Sequence, residues 1–318
     1  GLRNNAYTNV TAAWCLARAL EVLDAVSRER RRELREMLAI DDAELARWDD
    51  VSRRLRVPVQ DGVISQFEGY EALEELDWAA CRARYGRIER LDRILKAEGT
   101  TPDRFKVSKQ SDVLMLFYLF GFEELRDIFA RLGHELDGDA VRRNIEYYQA
   151  RTSHGSTLSK VVFTSIVHRQ DCAAGCELFL SALRSDLYDV QGGTTREGVH
   201  LGAMAGTVDI VTRHYAGVEL TERGVRLAPD MPPRIRRLAF RLQHRARWYA
   251  VELEPRRLCF SVDDAEPATV SVVIHDREHV LAPGGSLEVE IEPLARTSAR
   301  PVHRGARARV ELDEARLG

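Results

Sequence analysis

The segment at residues 112–120, DVLMLFYLF, constrains the fold of this chain more than any other, because it is almost wholly apolar. A membrane-spanning helix needs roughly 18 apolar residues, and no run in the chain approaches that length. A helix that is apolar on every side is stable in water only when protein surrounds it. We therefore predict a buried helix here and expect no membrane partner.

Helical spacing of apolar residues recurs through the first two thirds of the chain. Leu45, Trp48 and Val51, for example, form one apolar stripe. Asp41 or Asp42 directly before this stripe is a suitable N-cap, because a short carboxylate accepts hydrogen bonds from free backbone N–H groups. Further helices are predicted at residues 10–26, 77–85, 88–97, 140–148, 158–168, 173–185 and 198–215.

Near residue 217 the helical pattern gives way to short runs typical of strands, separated by turn residues. Strands are predicted at residues 238–242, 248–253, 258–262, 269–275 and 287–291. These runs predict a small antiparallel sheet domain at residues 220–293, after a helical domain at residues 1–219. The Arg- and Ala-rich tail at residues 294–318 is expected to be a solvated linker, disordered along its length, and the alternative is a weak extra strand at residues 308–312.

Charge and cysteine content exclude several classes of protein. The formal net charge of −3 does not create the strong positive field of a nucleic-acid-binding protein. The five cysteines are an odd number without a CxxC motif, which disfavours both a disulfide framework and a zinc site. Residues 1–11 lack the basic start and apolar stretch of a signal peptide. We therefore expect a reduced, cytoplasmic protein without a metal or a nucleic-acid partner.

The first candidate functional segment, SKQSD at residues 108–112, opens the predicted buried helix. Lys109 and Gln110 together can donate several hydrogen bonds to a polar ligand. The alternative is a helix cap formed by Ser108 beside a solvated lysine.

The second segment, RTSHGSTLS at residues 151–159, runs directly into a predicted helix. Hydroxyl groups and backbone N–H groups at a helix N-terminus suit a phosphate or another anion. The alternative is an N-cap that uses Ser156 or Thr157.

The third segment, QGGTTREGVH at residues 191–200, also leads into a helix. Its paired glycines allow the backbone to approach a ligand closely, and His200 can donate to an oxyanion or exchange a proton. A single histidine near a helix start is often structural. Two such loops that each contain a histidine favour one shared anion site, although the sequence does not show that they meet.

Aromatic residues flank a carboxylate at residues 67–70, FEGY. This combination suits a sugar, because the ring packs on the apolar face and the carboxylate binds hydroxyl groups. A turn fixed by Gly69 between two core aromatic residues is an equally good interpretation.

Five segments together resemble glycoside hydrolase family 65, which contains the maltose, trehalose and kojibiose phosphorylases and their hydrolase relatives. They occur in family order and cover about residues 4 to 292. They are NNAYTNVTAAW (4–14), GVISQFEGYEAL (62–73), SKQSDVLMLFYLF (108–120), YYQARTSHGSTLSKVV (147–162) and DLYDVQGGTTREGVHLGAMAGTVDIV (186–211).

The resemblance implies a mainly α fold. Residues 1–219 would be the later helices of an (α/α)6 catalytic barrel, and a small antiparallel β-sandwich would follow. In the family, the general acid is a glutamate closely upstream of the Asn-Asn-Ala-Tyr-Thr-Asn motif. That position precedes Gly1, so we expect no catalytic residue in this chain and no activity from the chain alone. Undamaged motifs elsewhere favour a fragment of a larger enzyme over a degenerate remnant.

The implied reaction is inverting phosphorolysis of an α-glucosyl disaccharide to β-glucose 1-phosphate and a sugar, with phosphate as co-substrate and no other cofactor. The glucosyl unit would be bound by Lys109 and Gln110. The phosphate would be bound by Ser156, Thr157, Gly193, Thr195 and His200. The alternatives are an inverting hydrolase of the same fold, such as a trehalase, and an inactive sugar- or phosphate-binding remnant. Trehalose is weakly favoured as substrate, and a homodimer is left open.

Two positions depart from the pattern of the relatives. Gly155 stands where some relatives carry an acidic residue, and the loss of that charge should favour an anionic nucleophile. Phe163 stands where many relatives carry a histidine.

Overall fold

The computed structural model describes residues 2–188, 195–221 and 224–292, without the side chain of Glu197. The chain forms two compact units whose boundary in the sequence falls between Val162 and Phe163. The predicted tail at residues 294–318 lies outside the described residues. Within the described ranges, no helix combines the length and apolar character needed to cross a membrane.

The first unit is helical, with one short hairpin of β1 (Val59–Gln60) and β2 (Val63–Ile64). The side chain of Asp41 accepts a hydrogen bond from the backbone N–H of Glu44 at 2.7 Å, which confirms the predicted N-cap. The helices are α1 (Ala6–Ala25), α2 (Arg28–Leu38), α3 (Asp42–Arg54), α4 (Trp78–Tyr85), α5 (Leu91–Ala97), α6 (Asp112–Leu119), α7 (Phe122–Arg131), α8 (Gly138–Gln149) and the first part of α9 (Thr157–His168).

Helix α6 is the predicted buried helix, and the structure confirms it. Val113, Leu114 and Leu116 are fully buried, and the helix packs against α1, α7 and α8. Its start is fixed by Ser111, whose side chain accepts a hydrogen bond from the backbone N–H of Leu114. The N-terminal end of α6, and with it Lys109 and Gln110, is therefore held on a packed helical core.

Buried Asn144 connects helix α8 to the hairpin. Its side-chain oxygen accepts from the backbone N–H of Ile64 at 2.8 Å, and its amide nitrogen donates to the carbonyl of Gly62 at 2.9 Å. The hydroxyl group of Tyr148, on the same helix, donates to the carbonyl of Ile64. Tyr148, which lies shortly before the loop that leads into helix α9, is thus part of a hydrogen-bonded region of the core.

Asn144→Ala is expected to lower the free energy of unfolding by about 2 kcal/mol, because it leaves a buried backbone N–H without its acceptor. Urea denaturation followed by circular dichroism measures this change. Arg142→Ala, on the exposed face of the same helix, is the control and should change stability by less than about 0.5 kcal/mol. Equal stability of the two variants would contradict the assigned role of Asn144.

The second unit begins with the end of α9 and continues with α10 (Cys172–Leu183) and α11 (Leu201–Asp209), which runs into a π-helical turn at Ile210–Tyr215. Eight strands follow among the described residues: β3 (Val218–Thr221), β4 (Gly224–Leu227), β5 (Leu238–His244), β6 (Arg247–Glu254), β7 (Arg257–Val262), β8 (Val270–Ile274), β9 (Arg277–Leu281) and β10 (Ser286–Glu290).

These strands form two four-stranded sheets in the orders β3-β4-β8-β9 and β5-β6-β7-β10. Alternate residues of both sheets enter one buried cluster, with Val225 and Val272 from the first sheet and Val251 and Phe260 from the second. The two sheets therefore form a sandwich around a shared apolar core, as predicted.

The prediction of an entirely antiparallel sandwich is wrong at one pair, because β4 and β8 run parallel. Strands β5, β6 and β7 lie between them in the sequence and belong to the other sheet. The chain thus leaves the first sheet after β4 and returns by a long crossover, which allows parallel pairing. The division of the chain at residues 219 and 220 stays a prediction.

Candidate functional site

Two of the predicted functional segments are joined in the first unit. The backbone N–H of Ser108 donates to the carbonyl of Arg151, and the backbone N–H of Ser153 donates to the carbonyl of Ser108, both at 2.9 Å. The hydroxyl groups of Ser108 and Thr152 lie 3.0 Å apart. These bonds hold Lys109 and Gln110, the predicted sugar-binding residues, beside the loop that leads to Ser156 and Thr157.

Gly155 lies at the centre of this junction. A Cβ atom at position 155 would lie 2.4 Å from the carbonyl oxygen of Glu89 and 2.9 Å from Cγ of Lys109. Such separations are shorter than atomic contacts allow, so only glycine fits this packing. This packing therefore has no room for the acidic residue that some relatives carry at this position. The other departure, Phe163, is a buried core residue of the second unit.

The loop after Gly155 opens helix α9. Thr157 is buried and is the first residue of the helix, whereas Ser156 is half-buried. Ser159 is fully buried, and its hydroxyl group lies 3.0 Å from Nδ1 of His154. Hydroxyl groups and helix N-terminal backbone groups are therefore concentrated beside Lys109, which suits an anion next to a sugar. The binding roles of Ser156 and Thr157 stay predictions.

His154 has a backbone φ of 56°, in the left-handed region. Burial, together with the positive charges of Lys160 and Arg82, lowers the pKa of His154 to about 4, and the carboxylate of Glu89 opposes this shift. The imidazole is therefore neutral near pH 7 and serves as a hydrogen-bonding group of the loop, rather than as a cation.

This lowered pKa makes folding stability depend on pH. The pKa of His154 is about 4 in the folded protein and about 6.5 in an unfolded chain, so between these values the unfolded chain binds more protons. Stability is therefore complete above about pH 6.5 and falls as the pH decreases toward 4.

We expect the free energy of unfolding to fall by about 2 kcal/mol between pH 7 and pH 4.5 through this one group. His154→Asn, which tolerates the left-handed backbone, should show a smaller loss over the same range. Urea titrations of both proteins at the two pH values measure the difference. Equal pH dependence of the two proteins would contradict the burial of a neutral His154.

His200, in the second unit, is held by Asp186. The carboxylate of Asp186 accepts from the backbone N–H of His200 at 2.9 Å and lies 2.6 Å from its Nδ1. This contact places the Nδ1 proton toward Asp186 and leaves Nε2 for another partner. The sequence reasoning missed Asp186, although it opens the fifth segment that resembles the family.

Thr195 begins a short 3-10 turn at Thr195–Glu197. Its hydroxyl oxygen is shielded from solvent and has no hydrogen-bond partner among the residues that the structure describes. Gly193, predicted to shape the same loop, lies outside the described residues. The structure therefore joins Lys109, Gln110 and the loop of Ser156 and Thr157 in the first unit, while Thr195 and His200 belong to the second.

The FEGY segment is structural. Tyr70 is 2% exposed, and Gly69 adopts a φ of 89°. The carboxylate of Glu68 accepts hydrogen bonds from the side chains of Asn4 at 2.7 Å and Arg56 at 3.1 Å. These contacts favour the turn over the sugar site.

A mainly helical region that carries these loops is followed by a sheet sandwich, and family models match both parts of the chain. The chain belongs to glycosyl hydrolase family 65: the model of the family's central catalytic domain matches residues 1–209, and that of its C-terminal domain matches residues 218–281.

Comparison with individual proteins supports the same family assignment. The chain is 46% identical over 293 residues to an uncharacterized glycosyl hydrolase of Mycobacterium tuberculosis, covering 91% of this chain and 22% of the relative. It is 39% identical over 242 residues to the trehalose 6-phosphate phosphorylase of Lactococcus lactis, covering 76% and 30%. A solved structure from the human microbiome, assigned as a kojibiose phosphorylase, has the same fold, with a TM-score of 0.69 at 19% identity and coverage of 91% and 38%. The chain thus spans well under half of each of these proteins.

Proposed function

We propose that the protein containing this chain catalyses the inverting phosphorolysis of an α-glucosyl disaccharide, similar to trehalose or maltose. The products are β-glucose 1-phosphate and a released sugar. Family membership and the similarity to a trehalose 6-phosphate phosphorylase support this proposal. The residues up to 219 would be the later helices of an (α/α)6 barrel, the sandwich at 220–293 would pack as its C-terminal domain, and the tail would be solvated.

One observation carries the proposal: the bonds that clamp Ser108 to Arg151 and Ser153. In phosphorolysis, a phosphate oxygen must reach the anomeric carbon of the glucosyl unit, so the groups that bind sugar and phosphate must be neighbours. The clamp makes neighbours of Lys109 and Gln110, for the sugar, and of the loop at Ser156 and Thr157, for the phosphate. Hydrolysis needs no such anion loop beside the sugar.

The reaction breaks the bond between the anomeric carbon and the glycosidic oxygen and forms one to a phosphate oxygen on the opposite face. A general acid protonates the leaving oxygen. The phosphate is itself the nucleophile, and it therefore takes the place of the water molecule and the general base of an inverting hydrolase. By resemblance that acid is a glutamate upstream of Asn4, outside this chain. Phosphate is the co-substrate, and no other cofactor is proposed.

His200 would donate from Nε2 to a phosphate oxygen. An imidazole that points its Nδ1 proton at a carboxylate can donate from Nε2 only in its imidazolium form, and Asp186 would hold the ring in the orientation that this contact needs. Thr195 and Gly193 would also bind the phosphate.

The experiment uses the complete natural protein with trehalose, trehalose 6-phosphate, maltose and kojibiose, each with and without phosphate. Trehalose 6-phosphate belongs in the panel because the relative at 39% identity carries that substrate in its name. Proton NMR distinguishes the anomeric products. We expect β-glucose 1-phosphate only when phosphate is present. Free glucose without phosphate would establish the hydrolase instead, and no turnover of any sugar would favour a binding remnant.

A further inference from the structure

The chain enters helix α1 through a short segment at residues 3–6, the entry segment, which is hydrogen-bonded to the FEGY turn. The backbone N–H of Ala6 donates to the carbonyl of Gln66 at 2.9 Å, and the backbone N–H of Glu68 donates to the carbonyl of Arg3 at 3.0 Å. Ala6 and Gln66 are both buried. The FEGY turn and the residue before it therefore hold the start of α1 in place.

The side chain of Asn4 completes this junction. Its amide nitrogen donates to the carboxylate of Glu68 at 2.7 Å, and the other oxygen of that carboxylate accepts from Arg56 at 3.1 Å. The side chain of Asn9 donates to the carbonyl of Arg56 at 2.7 Å, and its nitrogen lies 3.5 Å from the side-chain oxygen of Asn4. Asn4 has a φ of 49°, in the left-handed region that asparagine tolerates. Glu68 therefore holds the residue at which the chain changes direction before α1.

Asn5 connects the entry segment to the proposed sugar-binding residues. Its side-chain oxygen caps α1 by accepting from the backbone N–H of Thr8 at 2.9 Å. Its amide nitrogen donates to the carboxylate of Asp112 at 3.4 Å. Asp112 is the first residue of α6 and follows Lys109 and Gln110 closely in the sequence. The entry segment thus contacts both the FEGY turn and the start of α6.

We propose that Glu68 is a positioning residue for the general acid of the reaction. It acts through Asn4: by holding that residue, it fixes the direction in which the chain runs from α1 toward the acid. The inference rests on the proposed function, in which the acid is a glutamate closely upstream of Asn4. A general acid must lie within hydrogen-bond reach of the oxygen that it protonates, and a displacement of about 1 Å can lower the rate about 100-fold.

The contribution of Glu68 is to position rather than to stabilise. Its side chain is 39% exposed and that of Arg56 is 65% exposed, and ion pairs so exposed contribute little to folding stability. The backbone hydrogen bonds of the entry segment and the burial of Ala6 do not depend on the carboxylate. Removing the carboxylate should therefore release the chain upstream of Asn4 without unfolding the first unit.

The test uses the complete natural protein and two glucosyl donors, the disaccharide that it cleaves and α-glucosyl fluoride, each with phosphate. Fluoride leaves the anomeric carbon without protonation, so its displacement by phosphate does not need the general acid. For Glu68→Ala we expect kcat with the disaccharide to fall roughly tenfold or more, both KM values to stay within about twofold, and kcat with the fluoride to fall less than about twofold. Glu68→Gln, which keeps an acceptor oxygen for Asn4, should retain most of the activity. Glu71→Ala, which removes an exposed carboxylate from the adjacent 3-10 turn, is the matched control and should leave all these quantities unchanged.

A second variant tests whether Glu68 acts through Asn4. Asn4→Gly keeps the left-handed backbone and removes the amide that contacts Glu68. The double variant should then lose no more kcat than the more affected single variant, and the Tm of each variant should stay close to that of the wild type. Equal losses of kcat with both donors, additive losses in the double variant, or a large fall in the Tm of Glu68→Ala would overturn the role of Glu68. A wild-type protein that forms no β-glucose 1-phosphate from any sugar would instead overturn the proposed function, and this inference with it.

Discussion

Replacing His200 with alanine is expected to raise KM for phosphate by about 10- to 100-fold, with less than a threefold change in KM for the disaccharide. A hydrogen bond from a charged donor contributes about 1.5–3 kcal/mol, and each 1.4 kcal/mol corresponds to a factor of ten in affinity. Initial rates at saturating disaccharide and varied phosphate measure the effect. The selectivity follows from the proposed contact, since Nε2 of His200 would meet phosphate and not the acceptor sugar.

Asp186→Asn separates orientation from charge at the same position. An asparagine side chain can still accept from the backbone N–H of His200, but a neutral amide oxygen makes a weaker hydrogen bond to Nδ1 than a carboxylate does. We expect a smaller rise in KM for phosphate than for His200→Ala, because the ring and one of its two contacts with residue 186 remain. His134→Ala, in the first unit and packed against Phe129, is the control. If His200→Ala changed both KM values equally, His200 would be a structural residue.

The fold could be predicted where apolar residues recur over a long segment. Helix α6 and the cap of α3 are examples, because an apolar segment and a carboxylate before a stripe each have one good physical explanation. Helix α2, with the sequence RERRRELREML, was missed since it buries no residue and is supported by surface ion pairs such as Arg30 with Glu33. Helix α7 was missed although Phe122, Leu125 and Phe129 are buried at helical spacing, because it follows directly on the apolar segment of α6.

The sandwich shows a similar limit. Strands β5 to β8 and β10 are long enough for alternation to be visible, whereas β3 and β4 have four residues each and β9 exposes most of its side chains. The parallel pairing of β4 with β8 depends on which sheet the intervening strands join. That choice is made by tertiary packing, which no local pattern reports.

The candidate site was predictable in its residue types but not in its geometry. Loops rich in Ser, Thr and Gly before helices indicate anion binding locally. The hydroxyl groups of Ser108 and Thr152, which meet beside the clamp, belong to residues 44 positions apart, and no pattern within either loop predicts their contact. Asp186 was missed for the same reason, because a lone carboxylate acquires its meaning only from the histidine it contacts.

The strongest structural prediction concerns Gly155. Gly155→Ala is expected to lower the free energy of unfolding by about 3 kcal/mol, since overpacking costs 1–3 kcal/mol and sometimes more. The new Cβ atom would lie 2.4 Å from the backbone carbonyl of Glu89, and a backbone atom cannot move aside as the flexible stem of Lys109 can. Gly138→Ala is the matched control, because a Cβ atom at that position meets no atom within 4 Å. Urea denaturation compares the two, and equal stability would contradict the tight packing of the loop.

Functional variants at the same position separate size from charge. Gly155→Asn and Gly155→Asp have nearly the same volume, so both should disturb the packing of Lys109 and Glu89 to the same degree. Only the aspartate adds a negative charge, which opposes the binding of a phosphate anion nearby. We therefore expect KM for phosphate to rise in both variants and to rise several-fold more in Gly155→Asp, with equal effects on the disaccharide. If the two variants had the same KM for phosphate, Gly155 would be required for packing alone, and the loop would lie too far from the phosphate for its charge to matter.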